Sequence, residues 1–497
     1  MRAIHDHIAA HLDPSGCGLL PGGDDLPDEV RDDSQVRWAS GARDGVQGDC
    51  AAEPGADDDL PALVATALTD VAGYELLYAA LSLRQILDDV DRALTGIRAL
   101  DLPAAGLRDL GTRLVTTAAH REPVKFGIAL LGLDPEPADV DLLLRIGRHD
   151  EFTRYAAVAV LSTHPDPEPV LLRLAKGVRG WGRIGVVRHF TPTTTPEART
   201  WLLRGGFRNT VMNEYLAHQA ATVGGLVAAL SAPEIDQELL DCACDIVCAL
   251  IDGGPAEDID DYPDAPRAVW LLLGHLERAG RDLRHFVCTA WIEEFLSGPD
   301  WNRRYEQGWD LARHELMVRR CRDLMAEPHW RDLTIAGLET PDSRDFHRAR
   351  YAARILEVDP FPATLRRTRT TNDDWLSLMT LATAERLPAI LDLATELLPL
   401  ADLATGPALI AGYGKRWSTH TALDAVVTAL REFPGQGTEF VLASLRCPVV
   451  RNRVMAVRTL TGWGPESWHP EVQTALRQAV QEEPDPALQE SMSQLLT

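Results

Sequence analysis

The stretch VLLRLAKGVRGWGRIGVVRHF, residues 170–190, can be read in two ways, and the choice fixes the fold. Its centre, GWGRIG (Gly180 to Gly185), spells G-x-G-x-x-G. A dinucleotide-binding turn of that form follows a strand, opens a long helix, and is answered by an acidic residue about 20 positions on. None of the three holds. The preceding VLLRLAKG aligns with DLLLRIGR at residues 141–148 and with WLLRGGFR at 201–208. Each is an apolar run closed by an arginine, at Arg145, Arg173 and Arg204. After the glycines, GVVRHFTPTTTP leaves room only for a short helix before Pro192, and Glu197 comes too early. The glycines therefore mark the turn between two helices of one repeat and the start of its second helix.

Working outward, each of the three segments opens with one apolar helix, breaks at a small polar turn, and continues in a second. The same form returns at residues 440–460, FVLASLRCPVVRNRVMAVRTL, with Arg446 in the arginine position. Asp or Pro often precedes the first helix, as in HPDPEP (164–169), TTPEA (194–198) and EEPDPA (482–487). Asp caps free amides there, and Pro tolerates the first helical position. From Leu60 onward, apolar residues recur at three- and four-residue spacing, with hardly any alternation of strand type. The fold class is all-α. The form CPVVRNRVMAVRTLTGWG (447–464), with a Pro, paired valines and an Arg before a helix rich in small residues, resembles HEAT-type repeats. The resemblance is clear at 138–222 and 418–497. It implies a right-handed α-solenoid of stacked helix pairs, since such a pair cannot bury its apolar face alone.

The expected organisation is an acidic, loop-rich arm at 1–59, helical repeats at 60–252, an acidic loop at 253–266, central repeats at 267–401, a Gly/Ala-rich loop at 402–417, and terminal repeats with a cap at 418–497. The arm holds fourteen acidic residues against four arginines. Only Ile4 to Leu12 reads as helix within it. Val36 to Asp49 reads as loop, with Trp38 a candidate anchor onto the body. Either of the two internal loops could bend the array or protrude towards a partner.

The 497 residues carry a formal net charge of −25. That charge repels nucleic acid and anionic membranes unless a local basic patch overcomes it. Lysine occurs only at Lys125, Lys176 and Lys415, the mark of GC-rich, bacterial-type coding rather than of function. No secretory signal and no membrane span is read. Eight cysteines are too sparse for a disulfide framework, so a cytoplasmic protein with free thiols is expected.

No catalytic, cofactor or metal motif is recognised. Cys242, Cys244 and Cys248 lack a second ligand cluster for zinc. His314-Glu315 is the sole His-Glu dipeptide, where HEAT-type di-iron hydroxylases need several. Asp258 to Asp261 lacks the glycine of a calcium loop and reads as solvated.

Two groups are singled out as candidates. Lys176, Arg179 and Arg183 flank the GWGRIG turn, where a helix N-terminus could hold an anion. Residues 301–369 hold 14 arginines and 11 acidic residues, a locally positive stretch. There Trp301, Tyr305 and Trp309 recur every four residues, interleaved with Arg303, Arg304 and Arg313. With Trp181 and Arg183 these form the candidate partner-binding set, because Arg and aromatic residues dominate binding hot spots. The plainer reading is a core stripe with solvated arginines. The function expected is a non-catalytic helical-repeat scaffold binding a protein or peptide on its concave face. A basic partner, including a toxin to be neutralised, suits its acidic flanks. An enzyme or small-ligand binder with a groove site, and a HEAT-like DNA-binding or repair protein, are the alternatives.

Overall fold

Residues 237–252 illustrate how the sequence makes its helices. Leu239, Leu240, Ala243, Ile246, Val247 and Leu250 fall on one stripe and are all buried in the helix Gln237–Asp252. Asp236 caps its start by accepting from the Leu239 amide, and Gly253 ends it at φ +74°. Elsewhere Pro takes the first helical position behind a capping residue, as at Thr195–Pro196 and Asp485–Pro486. In the computed structural model, which describes residues 2–29, 32–34, 37–47, 59–133, 138–192, 194–299 and 301–496, such segments make thirty α-helices. Among the described residues there is no β-strand, only two isolated bridges. The protein is all-α.

Each of the four aligned sequence segments is a helix followed by a second helix. Asp139–Ile146 precedes Asp150–Thr163, and Glu168–Gly177 precedes Trp181–Val187. The third segment gives Pro196–Trp201, prolonged by a π-turn at Leu202–Gly206, and then Glu214–Thr222. The fourth gives Thr438–Ser444 and Val450–Trp463.

The chain forms two units. The first comprises residues 1–30 and 38–327, the second residues 31–37 and 328–497. In the first, every second helix packs on the next. Arg121–Leu131 lies on Asp150–Thr163, which lies on Trp181–Val187 and then Glu214–Thr222. The row continues through Gln237–Asp252 and Leu283–Leu296 to Leu311–Met325. One continuous core runs along it from Ile4 to Leu324.

The N-terminal region corrects the sequence expectation. The stretch read as loop contains the helix Ala42–Gln47. Trp38 is no anchor, being 53% exposed. The segment is held instead by Asp44, which is buried, and by Gly41 and Gly45, whose backbones lie against the Trp181 side chain. The acidic run at 48–58 lies outside the described residues.

In the second unit a core runs from Trp375 to Met492. Arg453 is fully buried and forks onto Glu483, Nε and Nη2 each donating at 2.7 Å. Its Nη1 donates to the carbonyls of Ala408, Cys447 and Pro448. The Gly/Ala-rich loop is thus tied down by an internal charge, and the Val450 amide donates to Ile410 O beside it. Removing one partner of a buried ion pair leaves an uncompensated charge, which costs about 3–5 kcal/mol. Arg453→Ala is therefore expected to lower the unfolding free energy of the second unit by that amount in urea denaturation. A loss below about 1 kcal/mol would contradict the role given to this arginine.

Candidate functional site

The GWGRIG turn holds an anion, and the anion belongs to the protein. The Asp150 carboxylate accepts from the Gly182 amide at 2.7 Å. A Cβ at Gly182 would lie 2.4 Å from Thr153 Oγ1 and 2.7 Å from Asp150 Oδ1, so only glycine allows this approach. Burial pushes the Asp150 carboxyl up to about 6, offset by the Gly182 and Gly180 amides. The three cations of the candidate anion set have partners of their own. Lys176 pairs with Glu197 at 3.0 Å. Arg179 donates to Cys17 Sγ at 3.1 Å. Arg183 donates to Arg208 O at 2.7 Å and Ala175 O at 3.2 Å. Trp181 is half-buried against Tyr215, ring centroids 5.1 Å apart.

Beside this turn lies the densest buried charge of the first unit. Lys125 Nζ sits 2.7 Å from Glu151, 2.8 Å from Asp44 and 3.0 Å from Glu122. Tyr155 donates to Asp44 at 2.9 Å, and the Gly41 amide donates to Glu151 at 2.8 Å. Arg121 joins Asp28 and Glu29 of the N-terminal region. The carboxylates hold the Lys125 ammonium charged against its burial. A lysine so held offers no free amine for nucleophilic or Schiff-base chemistry. Burial would raise Glu151, but Lys125, with the Gly41 amide and Arg121, more than reverses it, and the carboxyl falls to about 2. Burial raises Glu122. The cavity against Trp181, lined by Asp44, Asp150, Glu151, Arg154 and Arg188, is only about 20 Å³, room for a single water. This cluster is a structural latch.

The aromatic set forms a second cluster. Trp301 stacks on His314 at 3.7 Å and meets Trp309 edge-on at 5.3 Å. Tyr305 Oη is 2.8 Å from His314 Nδ1, and His314 Nε2 is 2.7 Å from the Leu296 carbonyl. The carbonyl can only accept, so Nε2 carries the proton and Nδ1 takes the tyrosine's. The spacing of four does not reflect one helix. Trp301–Glu306 ends early, and Gly308 at φ +101° turns the chain before Leu311–Met325. Trp309 is buried, while Trp301 and Tyr305 are half-buried. Arg304 forks onto Asp260 at 2.8 and 3.0 Å, which ties the acidic loop to the same cluster. Arg303 is exposed. Arg313 leaves this group altogether and lies 5.9 Å over Trp270.

Two constellations not foreseen from the sequence look chemical. Asp241, Asp282 and His285 converge closely enough to hold a metal ion. However, His285 Nδ1 accepts from the Arg281 amide at 3.0 Å, and Nε2 faces Asp241 at 3.1 Å. The ring is already used at both nitrogens, and Arg284 sits 2.7 Å from Asp241. In the second unit Ser343, His347 and Asp374 make a Ser-His-Asp sequence of contacts at 3.4 and 3.0 Å. His347 Nδ1 also lies 2.5 Å from the Ser343 carbonyl, to which it must donate. It cannot then take the hydroxyl proton, as a general base must.

An open groove in the first unit remains. It encloses about 510 Å³ between the helices Ala265–Ala279 and Leu311–Met325 and the turn after Leu226–Leu230. Trp270, Leu271 and Leu316 give it apolar walls. Trp270 is half-buried and Leu316 is 39% exposed. Arg320 lies 4.5 Å over the Trp270 ring and forks onto Glu277. None of the candidate residues lines it; Arg313 lies beside it, 5.9 Å over the Trp270 ring. Trp270 carried no sequence signal beyond its position in an apolar helix.

No family model and no curated protein matches the chain. Among solved structures, the crystal structure of an engineered protein from the Northeast Structural Genomics Consortium aligns over 88% of this chain and 98% of its own, at 16% identity and a TM-score of 0.22. A likeness at that level carries no statement about fold or function.

The adjacent pair His149 and Asp150 makes the latch region's acid response testable. Burial holds His149 down to about 4 from its ordinary 6.5, so the unfolded chain binds more protons between those values and stability falls as pH drops through them. Asp150 works in the opposite sense: raised to about 6 from 3.8, it adds stability as pH falls through that window. The two nearly cancel. In His149→Gln only the second remains, so its unfolding free energy relative to the natural protein should rise by about 2–3 kcal/mol between pH 7 and pH 4.5. Parallel pH profiles of the two proteins in thermal or urea unfolding would refute the assignment.

Proposed function

We propose that the chain is a helical-repeat scaffold that binds a segment of another protein, and that the Trp270 groove is where it does so. The reading takes each unit as a run of stacked helix pairs and places the protein in the cytoplasm. The observation that carries it is the groove itself: a half-buried tryptophan flanked by exposed Leu316 and by arginines, open along its length. Interfaces draw most of their affinity from a few aromatic and arginine anchors. The aromatic set at Trp301, Tyr305 and Trp309 supports this role indirectly, by fixing the start of the helix that carries Arg313, Leu316 and Arg320. The Lys125 latch serves the scaffold from its N-terminal side.

A photo-crosslinking amino acid placed at Leu316 in the native host tests the proposal. It should give defined protein adducts that disappear with Trp270→Ala. The same residue at Leu83, which is 89% exposed and does not line the Trp270 groove, should give none. Equal labelling at both positions, or none at Leu316, would count against a partner in this groove.

A further inference from the structure

The groove's floor has a chemistry of its own. Gly274 lies on the helix Ala265–Ala279, between Trp270 and Arg278. A Cβ on it would stand 3.5 Å from Arg278 Nη1 and 3.5 Å from Arg320 Nη2. Two guanidinium groups from different helices therefore converge over a residue that has no side chain to fill the space between them.

Their charges are not equally spent. Arg320 is neutralised by Glu277, whose carboxylate takes its Nε and Nη2 at 2.5 and 2.7 Å. Arg278 is oriented by a neutral partner. His275 Nε2 lies 2.9 Å from the Leu230 carbonyl and must donate there, so its Nδ1 accepts from Arg278 Nη2 at 3.0 Å. That fixes the guanidinium with Nη1 turned over Gly274 and, among the described residues, no carboxylate on it. Arg313, at the groove's edge 5.9 Å from the Trp270 ring, is a second cation without a carboxylate partner among the described residues. Arg278 and Arg313 are both exposed. The groove is thus locally positive in a chain whose net charge is −25. A positive site with an aromatic wall suits a carboxylate beside an apolar residue, because charge-assisted bonds to guanidinium are strong and directional.

Resting on the peptide-binding reading above, we propose that this groove is an acidic-peptide clamp: Arg278, converging with Arg320 over Gly274, binds an Asp or Glu carboxylate of the partner, and Trp270 and Leu316 receive the apolar residue next to it. This runs against the bulk charge of the protein, which by itself favours a basic partner. The clamp is local, and screening confines the general field to about 8 Å at physiological salt.

Binding of the full-length protein to an array of randomised twelve-residue peptides at physiological salt, followed by titration of the retained peptides, tests the clamp. Retained sequences should be enriched in Asp or Glu adjoining Leu or an aromatic residue. Replacing that acid by its amide should weaken binding at least tenfold. Arg278→Gln should weaken the acidic peptides by a similar factor and leave the amide versions unchanged. Arg278 is exposed, so this variant is expected to fold, and its thermal unfolding midpoint checks that. Peptides that need Trp270 but show no acid preference, or that lose affinity equally in both forms with Arg278→Gln, overturn the clamp and leave the groove reading standing. Enrichment in Lys or Arg also overturns it. Competition by inorganic phosphate without any acid preference among peptides would make this a small-anion site and overturn the peptide assignment. Retention of no peptide dependent on Trp270 overturns both readings.

Discussion

The ammonium of Lys125 constrains the first unit more than any other group. An ammonium taken out of water costs several kcal/mol unless charge and hydrogen bonds meet it on the spot. Lys125 is met by carboxylates from three separate pieces of chain: Glu122 from its own helix, Glu151 from the next helix in the row, and Asp44 from the N-terminal region. The last of these decides the architecture. Asp44 can serve only if residues 41–47 lie across the helices of Lys125, Asp150 and Trp181. Once there, the Gly41 amide closes on Glu151, Tyr155 donates to Asp44, and the backbone of Gly45 rests on the Trp181 ring. Arg121 brings a second cation to within 3.9 Å of Glu151 and ties Asp28 and Glu29 of the N-terminal region to the same cluster.

The same logic, a buried cation recruiting distant backbone, recurs in the second unit. Arg453 draws Glu483 and the Ala408 carbonyl to one point and so fixes a loop whose composition alone would leave it free. In each unit a single internal charge turns an irregular segment into part of the body. The Trp270 groove is organised otherwise. There Arg278 and Arg313 stay at the surface, and in the proposed clamp the carboxylate that satisfies Arg278 comes from the partner.

Much of the fold was legible because it is periodic. The apolar runs ending at Arg145, Arg173, Arg204 and Arg446 mark first helices at all four places, and GWGRIG caps and opens the second helix of its pair, Trp181–Val187. Residues 42–47 were not legible, since a six-residue helix is too short to carry a period and depends on Asp44 finding Lys125. One signal was present: in a chain that uses arginine almost everywhere, Lys125 stands inside the apolar run PVKFGIALL. The aromatic stripe at Trp301, Tyr305 and Trp309 was seen, but Gly308 redirects the chain, so these rings meet by tertiary packing rather than by helical spacing. The groove escaped notice because its parts lie on separate helices and Gly274 contributes only space.

Amide hydrogen exchange of the intact protein tests the central claim, that the N-terminal region is an integral part of the first unit held by Lys125. The Gly41 amide, bonded to a buried carboxylate, and the amides late in Ala42–Gln47 should exchange as slowly as those of the helix Asp150–Thr163. In Lys125→Met the protection at 41–47 should collapse while that of Gln237–Asp252 persists. Exchange of residues 41–47 within seconds in the natural protein would contradict the account.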